Sequence, residues 1–392
     1  MDRYGELNVA LRSLALFRGL LNDPVVAALA GALAAGEKSP AERADACGRL
    51  GAALYQKGEN LTEYLLGRAL RDENPYSVRR GRGEAIGPAM EACLSRELAI
   101  LQSASRLTAA GLHAALALPG GATWGTAQID FERAYRDRMA RLHQEGYGAF
   151  SERAMFRLED RSFQPIGSAD RVRPCDLVGY ERERAAIVDN TRALIEGRPA
   201  ANALLYGDAG TGKSSTVKAV ANAFVDRGLR LVEIRKDQLS MLTWAMERLS
   251  GDPLKFILFI DDLSFAHAGD EVGSLKATLE GAACSRAANL LIYATSNRRH
   301  IVAQSFRDRE GDVHANETMQ EQTSLAERFG LQVLFARPDR DQYLAIVRRL
   351  AEERGLDAPP DLDARAERFA MSKGGRSPRA ARQFIDALDC SI

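Results

Sequence analysis

Ala203-Leu-Leu-Tyr-Gly-Asp-Ala-Gly-Thr-Gly-Lys-Ser214 decides the reading of this chain. Ala203–Tyr206 is a short apolar run of the kind a buried strand makes, and residues 214–226 carry helical spacing. Between them, Gly207–Ser214 satisfies the pattern G-x-x-x-x-G-K-[ST] in full, in the strand–loop–helix setting that the pattern requires. Chemistry explains the residue types. Gly207, Gly210 and Gly212 let the backbone bend until successive N–H groups, those of Asp208, Ala209, Thr211 and Ser215 among them, point at phosphate oxygens. Lys213 brings a charge to the β- and γ-phosphates, and Ser214 offers a hydroxyl to Mg²⁺. The positive end of the helix completes the anion site. ATP with Mg²⁺ is the implied ligand.

Downstream, Phe256-Ile-Leu-Phe-Ile-Asp-Asp262 is an apolar strand ending in two carboxylates. Asp261 is placed to hold Mg²⁺ directly or through water, and Asp262 to orient or activate the attacking water. The plainer alternative is that Asp-Asp-Leu-Ser caps the next helix. Leu290-Leu-Ile-Tyr-Ala-Thr-Ser-Asn297 is a second apolar strand with a polar end. If it lies beside the strand of Asp261, Asn297 reaches the γ-phosphate and water from the side; otherwise Ser-Asn is a turn. With Leu229–Arg235 and Leu331–Phe335 these make five strand candidates separated by helical stretches. Continuous apolar runs in such alternation predict an α/β fold, a parallel sheet flanked by helices.

The flanks read differently. Residues 1–160 carry apolar residues at three-and-four spacing over Val9–Leu21, Ala41–Tyr55, Ile86–Leu116 and Phe131–Gln144, which predicts an all-α N-terminal domain. Gly/Pro-bearing breaks fall at Gly36–Pro40, Asn74–Gly83 and Pro119–Gly125. Arg79, Arg80 and Arg82 form the one compact basic cluster, read as solvated loop against a phosphate-backbone contact. Residues 161–175 read as linker, 176–337 as the nucleotide-binding domain, and 338–392 as three helices forming a lid.

Composition narrows the classes. The 392 residues are 46% apolar and 27% charged, with 53 basic and 53 acidic side chains. That balance does not indicate nucleic acid as a partner, although it leaves room for a local basic patch. Cys47, Cys93, Cys175, Cys284 and Cys390 form no C-x-x-C pair, and the five histidines show no paired-ligand spacing. A zinc site or disulfide framework is therefore not expected, and a reducing, cytoplasmic setting is. Pro24–Gly36 is apolar but shorter than the ~20 residues that span a bilayer, so no membrane contact is expected.

The order of motifs resembles the AAA+ superfamily over about residues 170–392. More closely, it resembles an uncharacterised bacterial family of AAA+-like ATP-binding proteins known only as a domain of unknown function. Gly207–Ser215, Phe259-Ile-Asp-Asp-Leu-Ser-Phe265, Ile292-Tyr-Ala-Thr-Ser-Asn-Arg-Arg-His300 and Ser324-Leu-Ala-Glu-Arg-Phe-Gly330 carry that closer match. The resemblance implies further roles. Val178 and Gly179, in Leu177-Val-Gly-Tyr180, fall where backbone flanks adenine, and Asn297 falls at the position called sensor 1. Arg328 falls where an arginine finger reaches a neighbouring subunit's γ-phosphate, and Arg379 falls at sensor 2. Guanidinium geometry suits phosphate oxygens, while surface ion-pairing is the alternative for each arginine. One departure stands out: most active family members place Glu where this chain has Asp262, one methylene shorter, which bears on hydrolysis more than on binding.

An ATPase switch or machine acting on a protein client is the leading expectation, with homo-oligomerisation implied by Arg328 alone. A slow-hydrolysing adaptor or loader on a DNA-associated complex is the alternative. A small-molecule kinase lacks any visible acceptor site. The long polar stretch between Arg298 and Ser324 is read as a segment that orders on ATP binding or subunit contact.

Overall fold

The computed structural model describes residues 3–167, 172–263, 275, 278–279, 288–297, 326–356 and 359–389. The chain forms two compact units, Met1–Glu152 and Arg153–Ile392. The stretch 298–324, Cys284 and Cys390 lie outside the described residues.

In the first unit the described helices are α1 (Arg3–Arg12), α2 (Pro24–Leu33), α3 (Pro40–Tyr55), α4 (Leu61–Arg71), α5 (Pro75–Gly81), α6 (Pro88–Ser105), α7 (Ala109–Ala115), α8 (Phe131–Ala140) and α9 (Leu142–Glu145). Their boundaries are written locally. Asp23, Ser39 and Asn74 each cap a helix that opens with proline, whose missing N–H costs nothing in a first turn. Asn74–Gly83, expected as a break, therefore holds the capped helix α5, and Arg79 and Arg80 lie in its last turn. Phe17, Phe131 and Tyr135 are fully buried in the core of this unit.

The second unit is built on a seven-stranded sheet of order β2-β1-β4-β5-β6-β3-β7. Its strands are β1 (Met155–Glu159), β2 (Ser162–Pro165), β3 (Ala203–Gly207), β4 (Leu229–Ile234), β5 (Lys255–Ile260), β6 (Leu290–Ser296) and β7 (Leu331–Phe335). Every pair is parallel except the β1–β2 hairpin. Helices α10 (Glu181–Ile195), α11 (Lys213–Ala223) and α12 (Leu242–Leu249) belong to this unit, as do α13 (Arg340–Glu353), α14 (Leu362–Ser372) and α15 (Pro378–Asp389). The last three share a hydrophobic cluster of their own around Tyr343, Val347 and Ile385. This is an α/β arrangement: a mostly parallel sheet with a P-loop sequence after β3, helices, three C-terminal helices and a helical N-terminal region.

Two expectations are corrected. Residues 155–159 are strand and not helix, and the stretch read as linker from 161 holds β2. The signal was hidden because the two-residue turn is Asp160-Arg161, both at positive φ (43° and 57°), where Asn-Gly would have announced a hairpin.

Candidate functional site

Strand order decides which side chains meet. β6 lies between β3, which feeds the P-loop, and β5, which ends at Asp261. The carboxyl ends of these parallel strands open on one cavity of about 430 Å³, the place where open α/β sheets bind ligands. Ala209–Ser215 line one wall, and Arg379 with Arg382 on α15 line another. Leu177, Val178, Ile346 and Leu350 supply the apolar end.

The loop glycines are needed as expected. Gly207, Gly210 and Gly212 sit at φ 129°, 79° and 91°. A Cβ on Gly207 would meet the Phe335 carbonyl oxygen at 2.2 Å. The base of the loop is tied to β7: the Asp208 N–H donates to that carbonyl at 3.2 Å, and the Arg337 N–H donates to Asp208 Oδ2 at 2.9 Å. Lys213 is only 5% exposed. Its ammonium curls back onto the loop, donating to the carbonyls of Gly207 (3.0 Å) and Asp208 (2.7 Å). Burial lowers its pKa, and the neighbouring Asp208, Asp262 and Asp261 partly oppose that.

Ser214 and Asp261 come together: Ser214 Oγ donates to Asp261 Oδ1 at 2.6 Å. Thr295 donates to the same oxygen at 2.7 Å, and its Oγ accepts the Asp262 N–H at 2.8 Å. One threonine therefore orients both acidic residues. Asp262 itself stands at φ 52°, an uncommon conformation for a non-glycine residue. Asn297 Nδ2 donates to its Oδ1 at 2.5 Å, and Lys236 Nζ lies 3.1 Å from its Oδ2. An all-oxygen set of a hydroxyl and a carboxylate suits Mg²⁺ that keeps its waters.

Around the rim, the Arg379 N–H at the start of α15 donates to the Gly210 carbonyl at 3.2 Å, so this helix rests on the P-loop. Gly179 stands at φ 80°, and a Cβ there would meet Ile346 Cδ1 at 2.9 Å, so the 177–180 turn packs closely on α13. Val178 lines the cavity while Gly179 does not. Arg328 is half-buried ahead of β7 and does not line the cavity.

Sequence reading missed Thr295, Lys236 and Arg382. Thr295 was accessible in principle, since side chains alternate along a strand and residues 295 and 297 share a face. Lys236 had no local signal; only the meeting of strand ends brings the residues after β4 to those after β5.

Comparisons with known proteins leave the activity open. The chain is 27% identical over 141 residues to human Replication factor C subunit 4, covering 31% of this chain and 38% of that protein. A Thermotoga maritima RuvB mutant matches at 13% identity and TM-score 0.38, over 56% of this chain and 64% of its own. AMPPCP-bound DnaA from Aquifex aeolicus matches at 15% and TM-score 0.39, over 56% and 66%. The chain thus spans less than two thirds of each. Residues 150–392 match the family described as Protein of unknown function (DUF815), and the chain belongs to that family.

Proposed function

We propose that this protein is a Mg²⁺-dependent ATPase of the AAA+ type whose nucleotide state drives remodelling or recruitment of a partner macromolecule. The observation that carries the reading is the 2.6 Å approach of Ser214 Oγ to Asp261 Oδ1 under a complete P-loop. In this reading Lys213 leaves its two loop carbonyls for the phosphates, and the loop N–H groups with Arg379 and Arg382 hold the remaining oxygens. Ser214 and Asp261 hold Mg²⁺, which supplies charge neutralisation between the phosphates. Asp262 and Asn297 orient the attacking water, and Arg328 serves a neighbouring copy of the chain. Val178 and Gly179 flank the base.

Steady-state hydrolysis with Mg²⁺ tests this for wild type, Lys213→Ala and Asp262→Asn. Turnover by wild type, lost in both variants while Asp262→Asn still binds ATP, is the expected result. Tight ATP binding with negligible turnover at every protein concentration would overturn it in favour of a slow adaptor or loader. The short Asp262, with both oxygens engaged, favours that second reading, and the partial similarity to a replication factor subunit supplies the reason to test DNA. Salt-sensitive DNA retention, lost when Arg79, Arg80 and Arg82 are replaced, would support it.

A further inference from the structure

Asp262 is one methylene shorter than a glutamate would be, so a catalytic role demands that something external fix its carboxylate. Asn297 holds one oxygen and Lys236 the other. Lys236 follows β4 and opens a short 3₁₀ turn, Lys236–Met241, that leads into α12. The position of that turn is set by Gln238, which is 7% exposed. Gln238 Oε1 accepts the Arg235 N–H at 3.2 Å, and its Nε2 donates to the Leu158 carbonyl of β1 at 2.9 Å. Leu158 in turn pairs across the hairpin with Phe163 of β2. Phe163 stacks on Trp244 of α12, ring centroids 5.5 Å apart at 29°. The segment from 236 to 249 is therefore held by the hairpin at two points, Gln238 and Trp244.

We propose that hairpin β1–β2 is a positioning element of the hydrolytic site, acting through Gln238 and then Lys236 to hold Asp262 in place. The proposal rests on the ATPase reading above. Lys236 and Gln238 touch no nucleotide in this scheme; they are positioning residues. A polar Gln238 is required because a buried donor and acceptor must be met on opposite sides at once, on the Arg235 amide and on the Leu158 carbonyl. Gln238→Glu keeps the size and the acceptor, and as the carboxylate it presents no donor to Leu158. Lys236→Met keeps the length and removes the charge at an exposed site.

The experiment measures kcat, KM for ATP and affinity for a fluorescent ATP analogue in wild type, Lys236→Met, Gln238→Glu, the double variant and Phe163→Ala. Thermal unfolding identifies any variant that is not folded. The expected result is a kcat loss of about tenfold for Lys236→Met, in keeping with the sensitivity of catalysis to small misplacements. Gln238→Glu loses less, Phe163→Ala less again, and KM and affinity stay within about twofold. The double variant falls no further than Lys236→Met, because both act on one carboxylate. Unchanged or faster turnover in Lys236→Met overturns the proposal, since the ion pair then restrains Asp262 or does nothing. Multiplying losses in the double variant, or a fall in affinity equal to the fall in kcat, overturns the link through Gln238. Should Gln238→Glu fail to fold, wild-type kcat in folded Phe163→Ala overturns the role of the hairpin. Absence of turnover in wild type would instead defeat the ATPase reading itself.

Discussion

Lys213 carries the sharpest conflict between function and stability at the residue scale. Its buried ammonium donates to two backbone carbonyls, and burial lowers its pKa from the ordinary 10.5. For a lysine with a depressed folded-state pKa, the unfolded chain binds more protons in the window below 10.5, so this group weakens the empty fold there and the penalty fades as pH rises through that window. Lys213→Met should therefore leave the nucleotide-free protein at least as heat-stable as wild type near neutral pH. The advantage should shrink towards pH 10 while nucleotide binding is lost; melting curves across pH with and without Mg-ATP check both parts. Thr295 makes the complementary case, a hydroxyl shared by Asp261 and the Asp262 amide. Thr295→Val removes it with little change of shape. Groups that orient metal ligands are worth about 10–100-fold in affinity or activity, so Mg²⁺ dependence should move to higher concentration by roughly that factor, as titration of turnover against Mg²⁺ would reveal. The P-loop and both acidic residues were legible in the sequence because each is a contiguous phrase. Thr295 was legible only through strand alternation, and Lys236 not at all, because a contact between residues 26 positions apart is made by the topology of the sheet.

Legibility at the scale of elements followed the strength of local signals. The five strands β3 to β7 were predicted nearly residue for residue: the buried β3 to β6 read as largely apolar runs, and the edge strand β7 keeps four apolar residues in five. β1 and β2 escaped because β2 is a four-residue edge strand and the two turn through Asp160-Arg161. The hairpin turn borrows a conformation that its residues do not advertise. Helix α6 illustrates a different kind of hidden determinant. Its Glu97 is fully buried yet caps no helix of its own: it accepts the N–H groups of Leu16 and Phe17, each at 3.0 Å, and of Ala15 at 2.7 Å. These amides follow α1 and have no strand or helix ladder to join. Glu97→Ala should leave two buried N–H groups unmet at about 1–3 kcal/mol each, whereas Glu97→Gln keeps an acceptor and should cost less. Urea unfolding followed at Trp124, with Trp244 replaced by Phe, reads the first unit alone, because these are the chain's two tryptophans and lie in different units. Equal stability of Glu97→Ala and wild type would show that the turn finds other partners.

For the whole molecule the open question is whether one copy of the chain completes its own site. The cavity gathers a P-loop, Asp261, Asp262, Asn297 and two arginines from α15 within a single unit. What it lacks among its lining residues is Arg328, the residue that the family resemblance casts as a finger. Arg328 precedes β7 at the edge of the sheet, and β7 pairs with β3 on one side only. As a finger, Arg328 would serve a neighbour's phosphates rather than its own, because it does not line the cavity of its own chain. If it does, turnover per chain must rise with protein concentration until assembly is complete. Fingers of this kind contribute roughly 10³-fold or more to phosphoryl transfer. Arg328→Ala should accordingly flatten the concentration dependence and bring turnover to the dilute wild-type level, with ATP affinity little changed. Arg328→Lys should recover little of it, because a point charge cannot reproduce the two-pronged contact. Mixing decides between the two geometries. An Arg328→Ala chain with an intact P-loop, combined with a Lys213→Ala chain that still carries Arg328, should regain activity if the finger acts across subunits. Two inactive chains that stay inactive together, at concentrations where wild type is fully active, would place Arg328 outside the reaction.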